Sequence, residues 1–370
     1  MKIAFLAPRF HTNQKSLVKY LLKNGHKLSF YVIRKSKIED YSNLKPKIIQ
    51  TNFLTKILNL IFRPKNNLFQ YRYGMPSLKE LLNLKSKKYD LIIIRDPINL
   101  MSLFYFFWSK LNGMDILLYT QQIIYKKKNL FIKDNLKEYF IKLSKENWIS
   151  PCLGNKKYKK ISKNIYYLPF CHTPQVYKKK WFVNNYFNIL SVGKFIKRKN
   201  HLSLIKALSL IDLKIRKKIS LTIIGECSNY DHHMNLKELK KAVDISDLKI
   251  RVLTNIDPKN ISKYYKTSDC FVLPSRNETA SVSNLEAMAF GLPVITTDTN
   301  QTSCYTKHGV NGYITKTDNI VDLAKKINLL AINKSKTKKF GKNSLRLIKT
   351  KYNPDIVYKK YFTNLFLNQN

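Results

Sequence analysis

Residues 268–295, SDCFVLPSRNETASVSNLEAMAFGLPVI, decide the fold. Cys270 to Leu273 is a short apolar run that reads as a buried strand. Pro274 to Glu278 is a polar turn with no room for another element. Val282 to Phe290, rich in Leu, Ala, Met and Glu, predicts a helix that Gly291 and Pro293 stop. Val294 to Thr296 begins the next strand. Strand, loop, helix and strand at this spacing are the repeating unit of a parallel α/β sheet. Glu278 stands at the open end of the first strand, and Glu286 about one turn inside the helix. Amides at a helix start favour anions, so an acid on each side of them can hold the two ends of a nucleotide-linked ligand.

The same rhythm runs outward in both directions. Toward the N-terminus of the second half, the pattern predicts a strand at Phe187–Val192 and a helix at His201–Leu210. A strand at Ser220–Ile224, a helix at Leu236–Val243, a strand at Lys249–Leu253 and a helix at Asn260–Lys266 follow. Late helices are predicted at Asn319–Leu330 and Asp355–Leu367. The first half opens with a strand at Lys2–Ala7, a helix at Gln14–Lys23 capped by Gly25, and a strand at Leu28–Ile33. Further strands are expected at Tyr89–Ile94 and Asp115–Tyr119. Between the halves, Leu168–Phe187 breaks the rhythm with two prolines and the run Lys178–Lys180, and reads as a linker. The expectation is α/β architecture in three parts: a Rossmann-like domain over residues 1–172, a second over 173–352, and a C-terminal helix over 353–370 free to pack back on the first domain. Ligands bind at the carboxyl ends of strands in such sheets, so the cleft between two of them is the expected site.

At 370 residues the chain is long enough for two ordinary domains, and 44% hydrophobic content argues for folded ones. The formal net charge is +45. Residues 1–172 carry 33 Lys and Arg against 9 Asp and Glu, and residues 173–370 carry 35 against 14. The charge is thus spread evenly, with no basic tail and no Arg-rich arm. An AT-rich coding composition, which raises Lys, Asn, Ile and Tyr together, accounts for such a spread, and a basic surface useful at an anionic membrane contributes to it. No nucleic-acid motif accompanies the charge. Five scattered cysteines without metal spacing read as reduced thiols of a cytoplasmic protein. The opening MKIAFLAPRF reads as a strand, not a signal peptide, and the apolar run Ile98–Trp108 is about half the length of a spanning helix. Asn52–Lys65 sets Phe53, Leu54, Ile57, Leu58, Ile61 and Phe62 on one helical face beside Lys56, Arg63 and Lys65. An interfacial helix and a helix packed on the sheet both give this stripe.

A second site element is the loop Gly193-Lys194-Phe195-Ile196-Lys197-Arg198-Lys199-Asn200, which leaves a strand and enters a helix. Gly193 is expected to let the backbone turn sharply. Lys194 and Lys199 flank the turn and can converge on a diphosphate, although a solvated basic loop would read the same way.

Together these pieces resemble family 4 of the retaining glycosyltransferases, which has the GT-B fold of two facing Rossmann-like domains. The resemblance rests on Val192-Gly193-Lys194 with Lys199, on Leu273-Pro274-Ser275, on Glu278 and Glu286, and on Leu285 to Ile295. Gly309-Val310-Asn311-Gly312-Tyr313 resembles a later family turn. The likeness is dense from about 187 to 315 and thinner in the first half. It implies that Lys194 and Lys199 bind the donor diphosphate and stabilise the departing phosphate. It implies that Glu278 lies near the donor sugar hydroxyls and Glu286 holds the ribose. It further implies that the segment Thr279-Ala280-Ser281-Val282 meets the phosphates with its amides. The implied reaction moves a sugar from a nucleotide-sugar donor to a glycan or lipid-linked acceptor with retention, in surface polysaccharide or lipopolysaccharide assembly. No cofactor is implied. The chain contains no Asp-x-Asp, in keeping with a family that uses Lys and Arg without a metal ion.

Four positions depart from the family pattern. Lys194 replaces an Arg, and a point charge cannot grip bidentately. Thr279-Ala280-Ser281 replaces Gly-Phe-Gly. The first loop, Ala7 to Asn13, has no glycine; its Arg9 and His11 are candidates for the acceptor side. Where many members carry a His after the strand at 115–119, this chain has Tyr119-Thr120-Gln121-Gln122, and Gln121 is the candidate in that place. His26, His232 and His233 read as turn and surface residues. The alternatives are a catalytically impaired family member acting as a partner subunit and, further off, a nucleotide-sugar epimerase or a basic nucleic-acid-binding protein.

Overall fold

The computed structural model describes every residue except 36–38, 40, 43, 63–73, 97–98, 127–131, 279, 300–301 and 368–370. The chain forms two compact units, one of residues 1–169 with 358–370, the other of residues 170–357.

The first unit holds β1 (Lys2–Leu6), β2 (Lys27–Val32), β3 (Lys47–Ile48), β4 (Leu91–Arg95), β5 (Ile116–Tyr119), β6 (Asn147–Ser150) and β7 (Ile165–Tyr167). They pair in parallel in the order β3-β2-β1-β4-β5-β6-β7. The order reverses between β1 and β4, the arrangement of a doubly wound sheet. Every residue of β4 and β5 is buried, which is why these strands read as unbroken apolar runs and not as alternating ones. The last helix, Pro354–Leu367, lays Tyr358 and Phe362 on Tyr20 of helix Thr12–Lys23, with ring centroids 5.4 and 6.3 Å apart.

The second unit holds β8 (Phe187–Val192), β9 (Ile219–Gly225), β10 (Lys249–Thr254), β11 (Cys270–Leu273), β12 (Val294–Thr297) and β13 (Gly312–Thr315). Their order is β10-β9-β8-β11-β12-β13, again all parallel. The reversal falls between β8 and β11. Asp269, fully buried just before β11, accepts hydrogen bonds from the backbone N–H of Phe182 at 2.7 Å and of Asn188 at 2.8 Å. It thereby ties the segment that enters the unit to the central strand.

The strands that the sequence predicts lie within a residue or two of their observed positions, but β3, β6, β7 and β13 were not predicted. Helices account for most of what that reading missed. Leu100–Leu111 is a helix that overlaps the longest apolar run, and Leu78–Ser86 precedes β4. The longest omission is Lys334–Lys351, a lysine-rich helix. It buries Thr337, Phe340, Gly341, Ser344, Leu347 and Ile348, an inward stripe that is half small or polar and so gives a weak apolar signal. Helix Phe53–Phe62 exposes Phe53, Leu54 and Ile61 of the predicted stripe. Leu60, outside that stripe, is exposed as well, and Ile57 and Leu58 are half-buried. Arg63 and Lys65 lie outside the described residues.

Candidate active site

Two loops leave the carboxyl ends of β8 and β11, adjacent strands on either side of the reversal in the second unit. A crevice forms at such a point because the connections from the two strands run to opposite faces of the sheet. The β8 loop is Gly193 to Asn200, closed by a 3-10 turn at Lys197–Lys199 that hands over to helix His201–Ser209. Asn200 takes a left-handed backbone (φ 56°), which Asn tolerates better than most residues. Its side chain is fixed at both ends, donating to Asp318 at 3.0 Å and accepting from Ser203 Oγ at 2.9 Å.

Gly193 is not in the left-handed backbone region, so the conformational freedom peculiar to glycine is not used there. Its missing side chain serves packing instead. A Cβ there would stand 3.2 Å from the Cδ and Cε of Lys199, whose stem crosses over it. Gly225 at the end of β9 is more crowded still, its Cβ position lying 2.6 Å from the Gly193 carbonyl oxygen and the Phe195 ring.

The two loops meet through charge. The Lys199 ammonium pairs with Glu278 Oε2, both side chains being buried. Arg198 Nη1 reaches the same oxygen at 3.1 Å and also donates to the Asn277 carbonyl. The Arg276 N–H donates to the Arg198 carbonyl at 2.9 Å. Burial pulls the Lys199 ammonium below its ordinary pKa, and Glu278 opposes that pull. Lys194 points elsewhere, to Glu226 Oε2 at 2.8 Å. Glu226 follows β9 and also accepts from Ser228 Oγ at 2.7 Å. Burial alone would raise the Glu226 carboxyl, but its bonds to Lys194 and Ser228 win and hold it below the usual range. The site therefore carries three cations, Lys194, Arg198 and Lys199, over two carboxylates, Glu226 and Glu278.

Helix Val282–Ala289 begins behind the β11 loop, with the Ser281 hydroxyl accepting from the Asn284 N–H at 3.2 Å. Ala280 and Val282 are half-buried beside it; Thr279 lies outside the described residues. Glu286 is half-buried and held from behind by Tyr265, whose hydroxyl donates to Glu286 Oε2 at 2.8 Å. Tyr265 is fully buried and stacks on Phe290 at 5.2 Å with 9° between the rings. Burial raises its phenol well above the ordinary value, so it stays a donor.

In the first unit, Arg9 and His11 come together after β1: Arg9 Nε donates to His11 Nε2 at 2.7 Å. That bond requires the proton on His11 Nδ1, which faces Glu39 Oε1 at 3.7 Å. Gln14 accepts from the His11 backbone N–H at 2.9 Å. Gln121 lies half-buried just past β5, two strands from β1 in the sheet.

Sequence reasoning missed Glu226 and Tyr265. The signal for Glu226 was akin to the one that exposed Glu278, an acid in the loop that follows an apolar strand, and Glu226 follows β9 immediately. Tyr265 had no comparable signal, because only the packing of Phe290 shows which side of its helix faces Glu286. Among the described residues no cluster of His, Cys, Asp and Glu could hold a metal ion, and no helix is long and apolar enough to cross a membrane.

Comparison with known proteins bears on the second unit most directly. Residues 175–346 match the family model described as glycosyl transferases group 1. An uncharacterized glycosyltransferase of Haemophilus influenzae is 32% identical over 148 residues, covering 39% of each chain. The capsular polysaccharide biosynthesis glycosyltransferase CapM of Staphylococcus aureus is 26% identical over 194 residues, covering 50% of this chain and 48% of its own. The chain thus matches less than half the length of either relative. HepE of Anabaena, whose structure is in complex with UDP-glucose, superposes over 99% of both chains with a TM-score of 0.75 at 15% identity. That likeness establishes the fold, two parallel-sheet Rossmann-like units of the GT-B class.

Proposed function

We propose that this chain, which carries a glycosyl transferases group 1 domain over residues 175–346, is a retaining, metal-independent hexosyltransferase of family 4. It moves a sugar from a nucleotide-sugar donor to a glycan or lipid-linked acceptor in surface polysaccharide or lipopolysaccharide synthesis. It works in the cytoplasm, at the inner face of an anionic membrane.

The observation that carries this reading is the buried Lys199–Glu278 pair at the reversal of the second sheet. A buried ion pair is a poor stabiliser compared with an apolar pair, so its presence where ligands bind in such folds points to use. In the transfer, the bond from the anomeric carbon to the diphosphate oxygen breaks and its electron pair leaves with the diphosphate. The acceptor oxygen bonds to the same carbon, and its proton passes to the departing phosphate. Negative charge grows on the leaving group, and Lys199, Arg198 and Lys194 are fixed cations able to stabilise it. The amides after Ser281 and the dipole of helix Val282–Ala289 add to that field. Glu278 faces the side where the sugar gains positive character, and Glu286, held by Tyr265, receives the ribose hydroxyls. Arg9, His11 and Gln121 serve the acceptor. The capsular relative and the UDP-glucose complex of the structural neighbour support this choice of donor and product class.

A second reading, a partner subunit of impaired activity, is favoured by Gln121, which cannot take up a proton as a histidine would. Donor turnover separates the two. The purified chain should hydrolyse or transfer from at least one nucleotide sugar, and Lys199→Ala and Glu278→Ala should each lower that rate by about two orders of magnitude. Unchanged rates in both variants would remove the site assignment. No turnover with any donor, alongside binding of nucleoside diphosphate, would favour the partner-subunit reading.

A further inference from the structure

The first unit presents apolar side chains to solvent in a pattern that its own core does not explain. On helix Leu78–Ser86, Leu78 and Leu82 are exposed, four residues apart. On Leu100–Leu111 the exposed residues are Phe104, Phe107 and Leu111. On Ile132–Leu143 they are Tyr139 and Leu143. Spacings of three and four place each set on one helical face. Leu111 is 83% exposed, Leu78 65% and Phe107 55%, so these are not half-covered edges of the core.

The three stripes share one side of the molecule. Leu81, Tyr105 and Ile141, one from each helix, enter the same core cluster with Ile92, Ile94 and Leu118 of the sheet. All three helices therefore cover one face of that sheet. Leu78–Ser86 packs on Leu100–Leu111, and the Phe106 ring meets Phe140 edge-on at 5.4 Å. Their inward stripes being common, their outward stripes are neighbours. Scattered exposed leucines mean little, but an outer face with two phenylalanines and four leucines marks an interaction surface.

Charge selects the partner. Lys79, Lys85 and Lys142 are exposed on the same helices; Lys110, exposed as well, is already paired with Glu146. Among the described side chains, no exposed acid lies on them; Glu80 is half-buried and Glu138 is half-buried against Lys126. A second copy seated face to face would set lysine against lysine, which costs affinity. Anionic lipid meets both demands, taking the apolar side chains into the acyl boundary and the lysines at the headgroups.

We propose that the outer surface of helices Leu78–Ser86, Leu100–Leu111 and Ile132–Leu143 docks the protein onto an anionic lipid bilayer. This deepens the membrane part of the functional reading and assigns it to these three helices rather than to helix Phe53–Phe62. It needs no assumption about glycosyl transfer.

The test is flotation of the full chain with phosphatidylcholine vesicles that contain or lack phosphatidylglycerol, together with light scattering of the free protein. Wild type should partition onto the phosphatidylglycerol vesicles, and Phe104→Ser/Phe107→Ser/Leu111→Ser should weaken this by about tenfold or more. The melting temperature should hold, since the three side chains are already in water. Lys79→Gln/Lys85→Gln/Lys142→Gln, which touches no core residue, should give a similar loss and a shallower salt dependence. Loss of binding in Phe53→Ser/Leu54→Ser/Ile61→Ser alone would overturn the assignment of this face. So would a wild-type dimer that the Phe104 triple variant dissociates without changing vesicle binding, or equal partitioning of all variants. Donor hydrolysis in detergent-free buffer should be the same in the docking variants and wild type, which keeps a failure here separate from a failure of the transferase reading.

Discussion

Removing the Glu278 carboxylate should destabilise the second unit strongly, and in a way that depends on pH. In Glu278→Ala, Lys199 keeps its place under the β8 loop, 8% exposed and without its counterion. Breaking one side of a buried ion pair costs about 3–5 kcal/mol. The Arg198 contact adds little, under about 1 kcal/mol, because that guanidinium is 41% exposed and solvent screens it. For a unit of this size each kcal/mol moves the melting temperature by about 2–4 °C, so the expected fall is roughly 6–20 °C. Burial already depresses the Lys199 pKa in the folded protein, and loss of Glu278 depresses it further. The unfolded chain then binds a proton that the folded one does not, from the folded pKa up to the ordinary lysine value. Stability of the variant should rise with pH through that window and be lost as pH falls. Lys199→Met/Glu278→Met should recover most of the loss, because two apolar side chains need no counterion. Calorimetry of wild type and the two variants at neutral and alkaline pH measures all of this. A fall of less than about 3 °C in Glu278→Ala, or a double variant no more stable than the single one, would refute the claim that this pair is a buried, mutually dependent unit.

Tyr265→Phe removes one hydrogen bond to a charged carboxylate while keeping the stack on Phe290. Nucleoside diphosphate binding, followed by titration calorimetry, should weaken by roughly 5–30-fold, or about 1–2 kcal/mol; an unchanged affinity would mean that Glu286 needs no orientation. His201 is buried at the start of helix His201–Ser209, and burial, with Lys199 nearby, lowers its pKa to about 4. Between that value and about 6.5 the unfolded chain carries a proton that the folded one lacks, so stability should fall by about 3 kcal/mol as pH drops across the window. Urea midpoints taken through it should show this slope, and His201→Gln should flatten it.

The centre of each sheet was legible because strands such as β4, β5, β11 and β12 are buried throughout, whereas the short β3, β6, β7 and β13 were missed. Runs such as Leu91–Ile94 and Cys270–Leu273 announce themselves, and the turns after them mark where a ligand meets the sheet. The partnership of Lys199 with Glu278 was not legible, since it joins residues 79 apart through the adjacency of β8 and β11. Helix Lys334–Lys351 stayed hidden because close packing there uses Thr337, Gly341 and Ser344, residues that carry no apolar periodicity. Gly193 was read as a conformational device, whereas the need is space for the Lys199 stem. The apolar run after Ile98 was weighed only as a membrane span, and its length concealed a helix with one stripe inward and another outward. Side-chain pairings past the strand ends, within one loop as for Arg9 and His11 or between two as for Lys194 and Glu226, depend on where side chains turn there. No local pattern encodes that.

The helix Pro354–Leu367 closes over Tyr20 by carrying Tyr358 and Phe362 back to the first unit. On the ribosome this sets an order. Residues 170–357 are contiguous and can fold as they emerge, whereas the first unit, though begun first, waits for the segment at 358–370. Until then the face of helix Thr12–Lys23 around Tyr20 is uncovered, a hydrophobic spot present for the whole synthesis of the second unit. The half of the molecule that is made first is thus the half completed last.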